Sequence, residues 1–161
     1  MNTIRIFTVG GTIDKIYFDA KSSYEVGPPN IQEVLSGINL SLDYELTSLM
    51  QKDSLDMTDE DRQLIQREVE NAKEDRIIIT HGTDTMVATA QQLSTLHGKT
   101  IVLTGALAPA LFKSSDAMFN IGAALTAVQT MPHGIYIAMN GRVFQHDEVI
   151  KDVEQNRFMP L

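Results

Sequence analysis

The sequence predicts an α/β fold with a doubly wound, mostly parallel sheet, helices on both faces and a single domain. Three observations support this prediction. Short Val- and Ile-rich runs, such as residues 77–79, alternate with longer segments of helical periodicity. Each apolar run ends abruptly in small or polar residues, which is typical of a buried strand followed by a turn. The length of 161 residues is that of one domain able to bury a core.

The N-terminal half begins with a nearly continuous apolar run at residues 4–9, which predicts a strand ending at Gly10-Gly11. Residues 12–29 are polar and rich in turn-forming residues, so we expect a long loop or a flexible hairpin. Asn30 is a candidate cap for a short helix that ends at Gly37. Residues 42–50 alternate in part and predict a second strand.

The C-terminal half repeats the alternation of helices and strands. Thr58, followed by acidic residues 59–61, predicts a helix N-terminus, because a hydroxyl caps it and the helix dipole favours negative charge there. This helix is predicted to end near Lys73. The later predicted elements are a strand at 76–80, a helix from Asp84 or Thr85 to about 96, a strand at 100–104, a helix from Ser115 or Asp116 to about 131, a strand at 134–139 and a short hairpin within 142–152.

Composition narrows the functional classes. The formal charge is −8, from 13 Lys and Arg against 21 Asp and Glu, and no basic stripe is visible, so we expect no nucleic-acid partner. No apolar run is long enough to predict a membrane span, and we expect no membrane partner. The absence of cysteine excludes disulfides, thiol catalysis and cysteine-ligated metals. This composition, with no secretory signal pattern at the N-terminus, leads us to expect a cytoplasmic protein.

Polar residues follow three of the predicted strands. Thr12 comes after Gly10-Gly11, Ser54 follows the second strand, and Thr83-Asp84 follow the third. Ligands of parallel sheets bind at the carboxyl ends of strands, where the strand order reverses. If the order reverses between the first and third strands, as in a flavodoxin-like three-layer sandwich, these groups converge in one crevice. That crevice would hold hydroxyl nucleophile candidates and a carboxylate able to bind a cation.

Each of these segments also has a purely structural interpretation. The stretch "TVGGTIDK" is compatible with a plain Gly-Gly turn, and it lacks the spacing of a phosphate-binding loop. The stretch "TGALAP" is equally compatible with a Gly-Ala turn before proline. "ITHGTDTM" combines a turn with a helix cap, but Thr83, Asp84 and Thr85 cannot all cap one helix. The remaining polar groups must find other partners if they are buried.

A hydroxyl nucleophile needs a nearby base, because it is weak at neutral pH. His81 is one candidate, but it precedes the turn glycine, and a structural role pointing away from the crevice is the alternative. Lys151 is another, since it follows the apolar pair Val149-Ile150 and could reach back to the crevice. A lysine becomes a base when desolvation or a second cation lowers its pKa.

Two motifs connect these residues to a known family. "GGTI" (residues 10–13) follows the first predicted strand, and "HGTDT" (residues 81–85) follows the third. The chain resembles the bacterial-type L-asparaginases, which include glutaminase-asparaginases and an archaeal transfer-RNA amidotransferase subunit. Weaker matches agree with this resemblance: they are "SSYEVG", "DSLDMT", "TGALAP" and "DEVIKD".

The resemblance implies an amidohydrolase that needs neither a metal nor an organic cofactor. Thr12 would attack the side-chain amide carbon of a small-molecule substrate, asparagine or a related amide. Tyr24, on a flexible loop, would help to activate Thr12. Thr83, Lys151 and Asp84 would form a second threonine–lysine–aspartate group. The reaction would pass through an acyl-enzyme at Thr12 and would yield aspartate and ammonia.

The resemblance also implies which residues bind the substrate. Asp84 would bind the α-ammonium group, and Ser54 would hold the α-carboxylate. Gly11 and Thr83 would belong to the same substrate-binding set. Ala106 would contact the reacting amide through its backbone. Leu55 would belong to the same set, at the position where some family members have a polar residue near the substrate carboxylate.

Family members are longer and carry a second, C-terminal domain, part of which closes the active site of a neighbouring subunit. Residues 1–161 are therefore expected to be the N-terminal catalytic-type domain without the C-terminal one. We expect a homo-oligomer, because the missing wall of the site must come from another chain. Two alternative functions remain open. One is an amino-acid-binding module with little or no turnover, and the other is an ammonia-supplying subunit of an amidotransferase.

Overall fold

The computed structural model describes residues 3–161 and contains ten strands, four α-helices and several short 3-10 turns within that range. The strands are β1 (Ile4–Gly10), β2 (Lys15–Phe18), β3 (Ser23–Val26), β4 (Tyr44–Lys52), β5 (Arg76–Thr80), β6 (Thr100–Thr104), β7 (Gly134–Met139), β8 (Arg142–Gln145), β9 (Val149–Asp152) and β10 (Arg157–Pro160). The helices are α1 (Ile31–Ser36), α2 (Asp59–Asn71), α3 (Met86–Gln92) and α4 (Ala117–Thr130).

Six strands form the central sheet in the order β4-β1-β5-β6-β7-β8. Strand β1 lies parallel to both β4 and β5, and the pairs β5–β6 and β6–β7 are also parallel. Only β8 is antiparallel to its neighbour, β7. The chain leaves β1 for the edge at β4 and then crosses back to β5 on the other side. The strand order therefore reverses at β1, which places a crevice at the carboxyl ends of β1 and β5.

Helices cover both faces of this sheet, so the predicted three-layer arrangement is confirmed. One core cluster contains Ile65 of α2 and Met86 of α3 together with Ile77 of β5. The other contains residues of α1 and α4, such as Val128, together with Ile78 of β5. Successive residues of β5 thus belong to opposite core clusters, as expected for a strand buried on both sides.

Local sequence signals account for several element boundaries. Strands β5, β6 and β7 have the predicted bounds. Helix α2 begins with a capping box, in which the Asp61 amide donates to the Thr58 hydroxyl at 3.2 Å and the Thr58 amide donates to the Asp61 carboxylate at 2.9 Å. Lys52 at the end of β4 donates to the same carboxylate at 2.8 Å. The cap therefore also joins α2 to the edge of the sheet.

One predicted element differs from the structure, and one of two open options is settled. The hairpin expected within residues 142–152 is wrong, because β8 pairs with β7 and β9 pairs with β10. Asn140 and Gly141, with φ of 53° and 78°, form the tight turn between β7 and β8. The region 12–29 takes the hairpin option, since β2 pairs with β3 over Lys15↔Val26 to Phe18↔Ser23.

Across residues 3–161, no helix has the length and apolar character needed to span a membrane.

Candidate active site

The turns after β1, β4, β5 and β6 pack directly against one another at the carboxyl edge of the sheet. A side chain at Gly82 would place its Cβ 2.7 Å from the Cβ and Oγ of Ser54. A Cβ at Gly11 would overlap the backbone of Gly82, and one at Gly105 would overlap the carbonyl oxygen of His81. These contacts require glycine. They bring the two motifs "GGT" and "HGT" into backbone contact, with Thr12 and Thr83 each one residue further along.

Thr12 begins a short 3-10 turn, Thr12–Asp14, and is half-buried. Gly11 reaches this turn with a φ of 91°, a conformation that favours glycine. Its amide donates to the Lys52 carbonyl at 2.9 Å, which fixes the turn to the end of β4. The Ala110 amide donates to the Ile13 carbonyl at 3.1 Å. The turn that carries the nucleophile candidate is therefore held from two sides, and Thr12 itself is only partly buried.

Ser54 is buried and lies against the turn that follows β5. Its hydroxyl oxygen accepts from the Thr85 amide at 3.2 Å, and the Thr85 hydroxyl donates back to the Ser54 carbonyl at 3.0 Å. Thr85 precedes helix α3, but within the described chain its side chain does not cap that helix. The surplus hydroxyl of "HGTDT" thus joins two turns of the site. The neighbouring Leu55 is 71% exposed.

Lys151 connects the C-terminal hairpin to the motif after β5. Its ammonium group donates to the Thr83 hydroxyl at 2.8 Å and to the Asp84 carboxylate at 2.8 Å. The side chains of Lys151 and Asp84 are 12% and 41% exposed, and Thr83 is buried. Pairing of β9 with β10 sets Lys151 opposite the buried Phe158. The structure therefore brings together the three residues expected to form a threonine–lysine–aspartate group.

His81 has a structural position, and the interpretation as a catalytic base is wrong. Its Nδ1 lies 2.7 Å from the Gly82 carbonyl oxygen, and its Nε2 lies 2.7 Å from the Thr89 hydroxyl. Because a carbonyl can only accept, Nδ1 carries the proton and Nε2 accepts from Thr89. Arg62 donates in turn to Thr89 at 3.2 Å. Complete burial lowers the pKa of His81 to about 4, so the ring is neutral and both nitrogens are engaged.

Ala106 is buried in the turn after β6, and the start of α4 holds this turn in place. The amides of Leu107 and Ala108 donate to the Asp116 carboxylate at 3.0 and 3.1 Å. The Asn120 side chain donates to the Gly105 carbonyl and to Asp116, each at 2.9 Å. One prediction made Asp116 the cap of α4. Within residues 3–161 its side chain does not cap that helix but orders the turn after β6. Sequence reasoning missed this role, although two polar residues four apart at a predicted helix start, Asp116 and Asn120, are a signal for it.

Tyr24 lies on the β2–β3 hairpin, where it is 48% exposed. Its ring makes edge-on contacts with Tyr17 and Phe112, at centroid distances of 5.2 and 5.5 Å. It also lines an open cleft of about 580 Å³ together with Lys15. Over residues 3–161, no hydrogen bond joins the Tyr24 hydroxyl to Thr12. The structure thus leaves Tyr24 on the wall of this open cleft and does not bring it into hydrogen-bonding contact with Thr12.

Asp14, two residues after Thr12, was not predicted as part of the site. Its carboxylate accepts from the Asn30 amide at 2.9 Å, and its carbonyl accepts from the Gly27 amide at 2.9 Å. Asp14 therefore fastens the base of the hairpin to the turn that carries Thr12. Burial raises the pKa of Asp14 to about 7, against the hydrogen bond from Asn30, which favours the charged form.

In the described range of the chain, no three His, Asp or Glu side chains come together as a metal-binding group.

Comparison with known proteins identifies the family to which this chain belongs. The family model for the asparaginase N-terminal domain matches residues 3–158. The chain is 30% identical over 159 residues to L-asparaginase 2 from Escherichia coli strain K12, a match that covers 92% of this chain. It is also 42% identical over 81 residues, or 49% of this chain, to a glutamyl-tRNA(Gln) amidotransferase subunit from Methanococcus vannielii, where the match covers 19% of the relative.

Solved structures agree with the sequence comparison. The thermostable L-asparaginase from Thermococcus kodakarensis superposes with a TM-score of 0.86 and 28% identity, covering 99% of this chain and 51% of that one. The chain spans 46% of the length of the Escherichia coli relative, so about half of each of these asparaginases has a counterpart here. The sequence match and the shared fold lead to one conclusion: this chain belongs to the asparaginase family and corresponds to its N-terminal domain.

Proposed function

We propose that the chain forms the catalytic part of an amidohydrolase, which uses Thr12 to hydrolyse the side-chain amide of L-asparagine or a related amide. The observation that carries this proposal is the hydrogen-bonded set of Lys151, Thr83 and Asp84, next to the contact between Gly11 and Gly82. Such a set offers a base, a relay hydroxyl and an anion beside a nucleophile candidate. Family membership supports amidohydrolase chemistry.

Binding of an amino acid explains the polar groups around the turns. Asp84 is partly exposed and would accept the α-ammonium group of the substrate. Ser54 would donate to the α-carboxylate, since its oxygen accepts from Thr85 and, among residues 3–161, its hydroxyl donates to no protein acceptor. The backbones of Gly11 and Ala106 would line the pocket around the amide. Leu55 would add an apolar wall where it is exposed beside Ser54.

The proposed reaction has two steps. The Thr12 oxygen attacks the amide carbon, the nucleophile's proton goes to the base, and the carbonyl oxygen becomes an oxyanion held by backbone amides of the glycine turns. Collapse of the tetrahedral intermediate breaks the C–N bond, and the leaving nitrogen takes up a proton and departs as ammonia. Water then attacks the ester at Thr12, which releases aspartate and restores the hydroxyl.

Lys151 is the base that the geometry favours for this cycle. A lysine accepts a proton only when neutral. In that form the contact with Thr83 would run in the reverse direction, with the Thr83 hydroxyl donating to the Lys151 amine while its oxygen accepts the proton of the nucleophile. Tyr24 would complete the activation of Thr12 once a bound substrate draws its side chain towards that hydroxyl, with the hairpin staying docked at the Thr12 turn. No nucleic acid, metal or organic cofactor enters this scheme.

Two further candidate functions are an ammonia-supplying subunit of an amidotransferase and an amino-acid-binding module. The 42% identity to the amidotransferase relative favours the first of these.

We also propose a homo-oligomer, because the site is open at Asp84 and Leu55 and a neighbouring chain would close it. Sedimentation as a strict monomer at micromolar concentration would contradict this. A reducing cytoplasm is the compartment that fits a chain without cysteine.

Ammonia release from L-asparagine, L-glutamine and D-asparagine by the purified chain tests the proposal. Wild-type protein is expected to release ammonia from at least one of these amides, and Thr12→Ser is expected to retain part of that activity. Thr12→Ala is expected to release none while substrate still raises its melting temperature. If the wild type binds asparagine and releases no ammonia, the binding module is favoured. Release only in complex with a second protein favours the amidotransferase role.

A further inference from the structure

A short segment connects the turn of Thr12 to the hairpin that carries Tyr24. This segment, residues 109–112, is called the strap here. Its Ala110 amide donates to the Ile13 carbonyl at 3.1 Å, next to Thr12. Its Phe112 ring meets Tyr24 at a centroid distance of 5.5 Å and an interplanar angle of 86°. One end of the strap therefore touches the nucleophile turn, and the other touches the hairpin.

Phe112 differs in kind from the other ring that contacts Tyr24. Tyr17 is the register partner of Tyr24 in the same hairpin, so it moves with Tyr24 and cannot fix the hairpin to the rest of the molecule. An isolated two-stranded hairpin is marginally stable in water. Asp14 fastens the base of this hairpin, while Lys21 near its tip is exposed. Of these two aromatic contacts, only that with Phe112 holds the region around Tyr24 from outside the hairpin.

We propose that Phe112 is a positioning residue of this site, whose edge-on contact with Tyr24 holds the hairpin at the nucleophile turn. The strap then makes the hairpin and the Thr12 turn respond to each other. Loss of the Phe112 ring releases the hairpin without removing any group that touches the substrate. The kinetic consequence rests on the proposed function, because it assigns Tyr24 a part in activating Thr12.

The rate of native-state trypsin cleavage after Lys21 measures how readily the hairpin opens. This measurement does not require the protein to be catalytically active. A pair of edge-on rings stabilises by an amount that corresponds to about a three- to tenfold change in an equilibrium. Phe112→Ala is therefore expected to be cleaved after Lys21 about three- to tenfold faster, with fragments identified by mass. Phe112→Tyr keeps the ring and is expected to match the wild type. Leu111→Ala, which alters the adjacent residue of the strap, is the matched control.

Two further comparisons make the result specific. Tyr24→Ala removes the same contact from the other side, so the double variant with Phe112→Ala is expected to be cleaved no faster than Tyr24→Ala alone. In the ammonia assay, kcat of Phe112→Ala is expected to fall several-fold and to recover in Phe112→Tyr. Equal cleavage of Phe112→Ala and wild type overturns the proposal, and so does a loosened hairpin with unchanged kcat. If the wild type is inactive, the proposed function fails, and the cleavage rates still decide whether Phe112 holds the hairpin.

Discussion

Lys151 and Asp84 are 67 residues apart in the chain, yet their side chains form a 2.8 Å hydrogen-bonded ion pair beside Thr83. The lysine side chain is mostly buried, whereas the carboxylate is 41% exposed. A pair whose carboxylate is this exposed adds little stability, because water and salt screen it. Its position beside Thr83, at the point where the strand order reverses, is better explained by chemistry than by stability.

Replacement of Lys151 by methionine is expected to lower kcat about 100- to 10,000-fold, the usual contribution of a general base. The fold is expected to persist, because the hairpin keeps its apolar anchors, Val149 and Phe158. Ammonia release and circular dichroism measure the two properties separately. Lys73→Met, which changes a lysine after α2 and outside the site, is the matched control. Equal kcat for Lys151→Met and wild type would remove Lys151 from the mechanism.

The fold followed from local patterns, whereas much of the site depends on distant contacts. The strands at 76–80 and 100–104 were predicted at their observed bounds, because each is an apolar run bounded by polar or turn residues. The pairing of β8 with β7 was missed, although Asn140-Gly141 is a strong hairpin signal. A periodic pattern locates a strand, but the choice of partner is tertiary.

The site residues divide in the same way. Thr12 and Thr83 could be placed at strand ends from local sequence, and the strand order then brought their turns together. The contact between Lys151 and Thr83 had no local signal beyond the possibility of a reach back along the chain. Asp14 and Phe112 were missed because their roles arise from partners that sequence spacing does not identify, Asn30 and Tyr24. The polar surroundings of His81 resembled a catalytic site until its two partners were known.

Ser54→Ala is expected to raise KM by about 10- to 100-fold, with a smaller change in kcat. The reason is that a hydrogen bond to a charged group, here the proposed substrate carboxylate, contributes about 1.5–3 kcal/mol. Steady-state kinetics of ammonia release measure this split. Ser48→Ala, on β4 and outside the site, is the control. A fall in kcat at constant KM would assign Ser54 to the chemical step instead.

Asp14→Asn is expected to change how stability depends on pH. The folded protein keeps the Asp14 proton up to about pH 7, whereas the usual value is 3.8, so between these pH values the unfolded chain binds fewer protons. Stability from this group is therefore full below about pH 3.8, falls as pH rises towards 7 and is constant above it. An asparagine oxygen still accepts from the Asn30 amide and carries no charge.

The variant is thus expected to be more stable than the wild type at pH 8, by roughly 2–4 kcal/mol, and close to it at pH 4. Urea unfolding at several pH values measures the difference. His81 titrates in the opposite sense over this range but is common to both proteins, so its effect cancels. Asp19→Asn, at the exposed tip of the hairpin, should show no such trend. A pH-independent difference for Asp14→Asn would place the Asp14 carboxylate in a charged state throughout.

The identity of the residue that becomes acylated decides whether Thr12 is the nucleophile. The chain is mixed with L-asparagine, or with whichever amide releases ammonia, then quenched rapidly in acid and mapped by peptide mass. We expect an acyl ester on the peptide that contains Thr12, and no ester in Thr12→Ala. An ester on Ser54 or Thr83, or ammonia release by Thr12→Ala at the wild-type rate, would contradict the proposed mechanism.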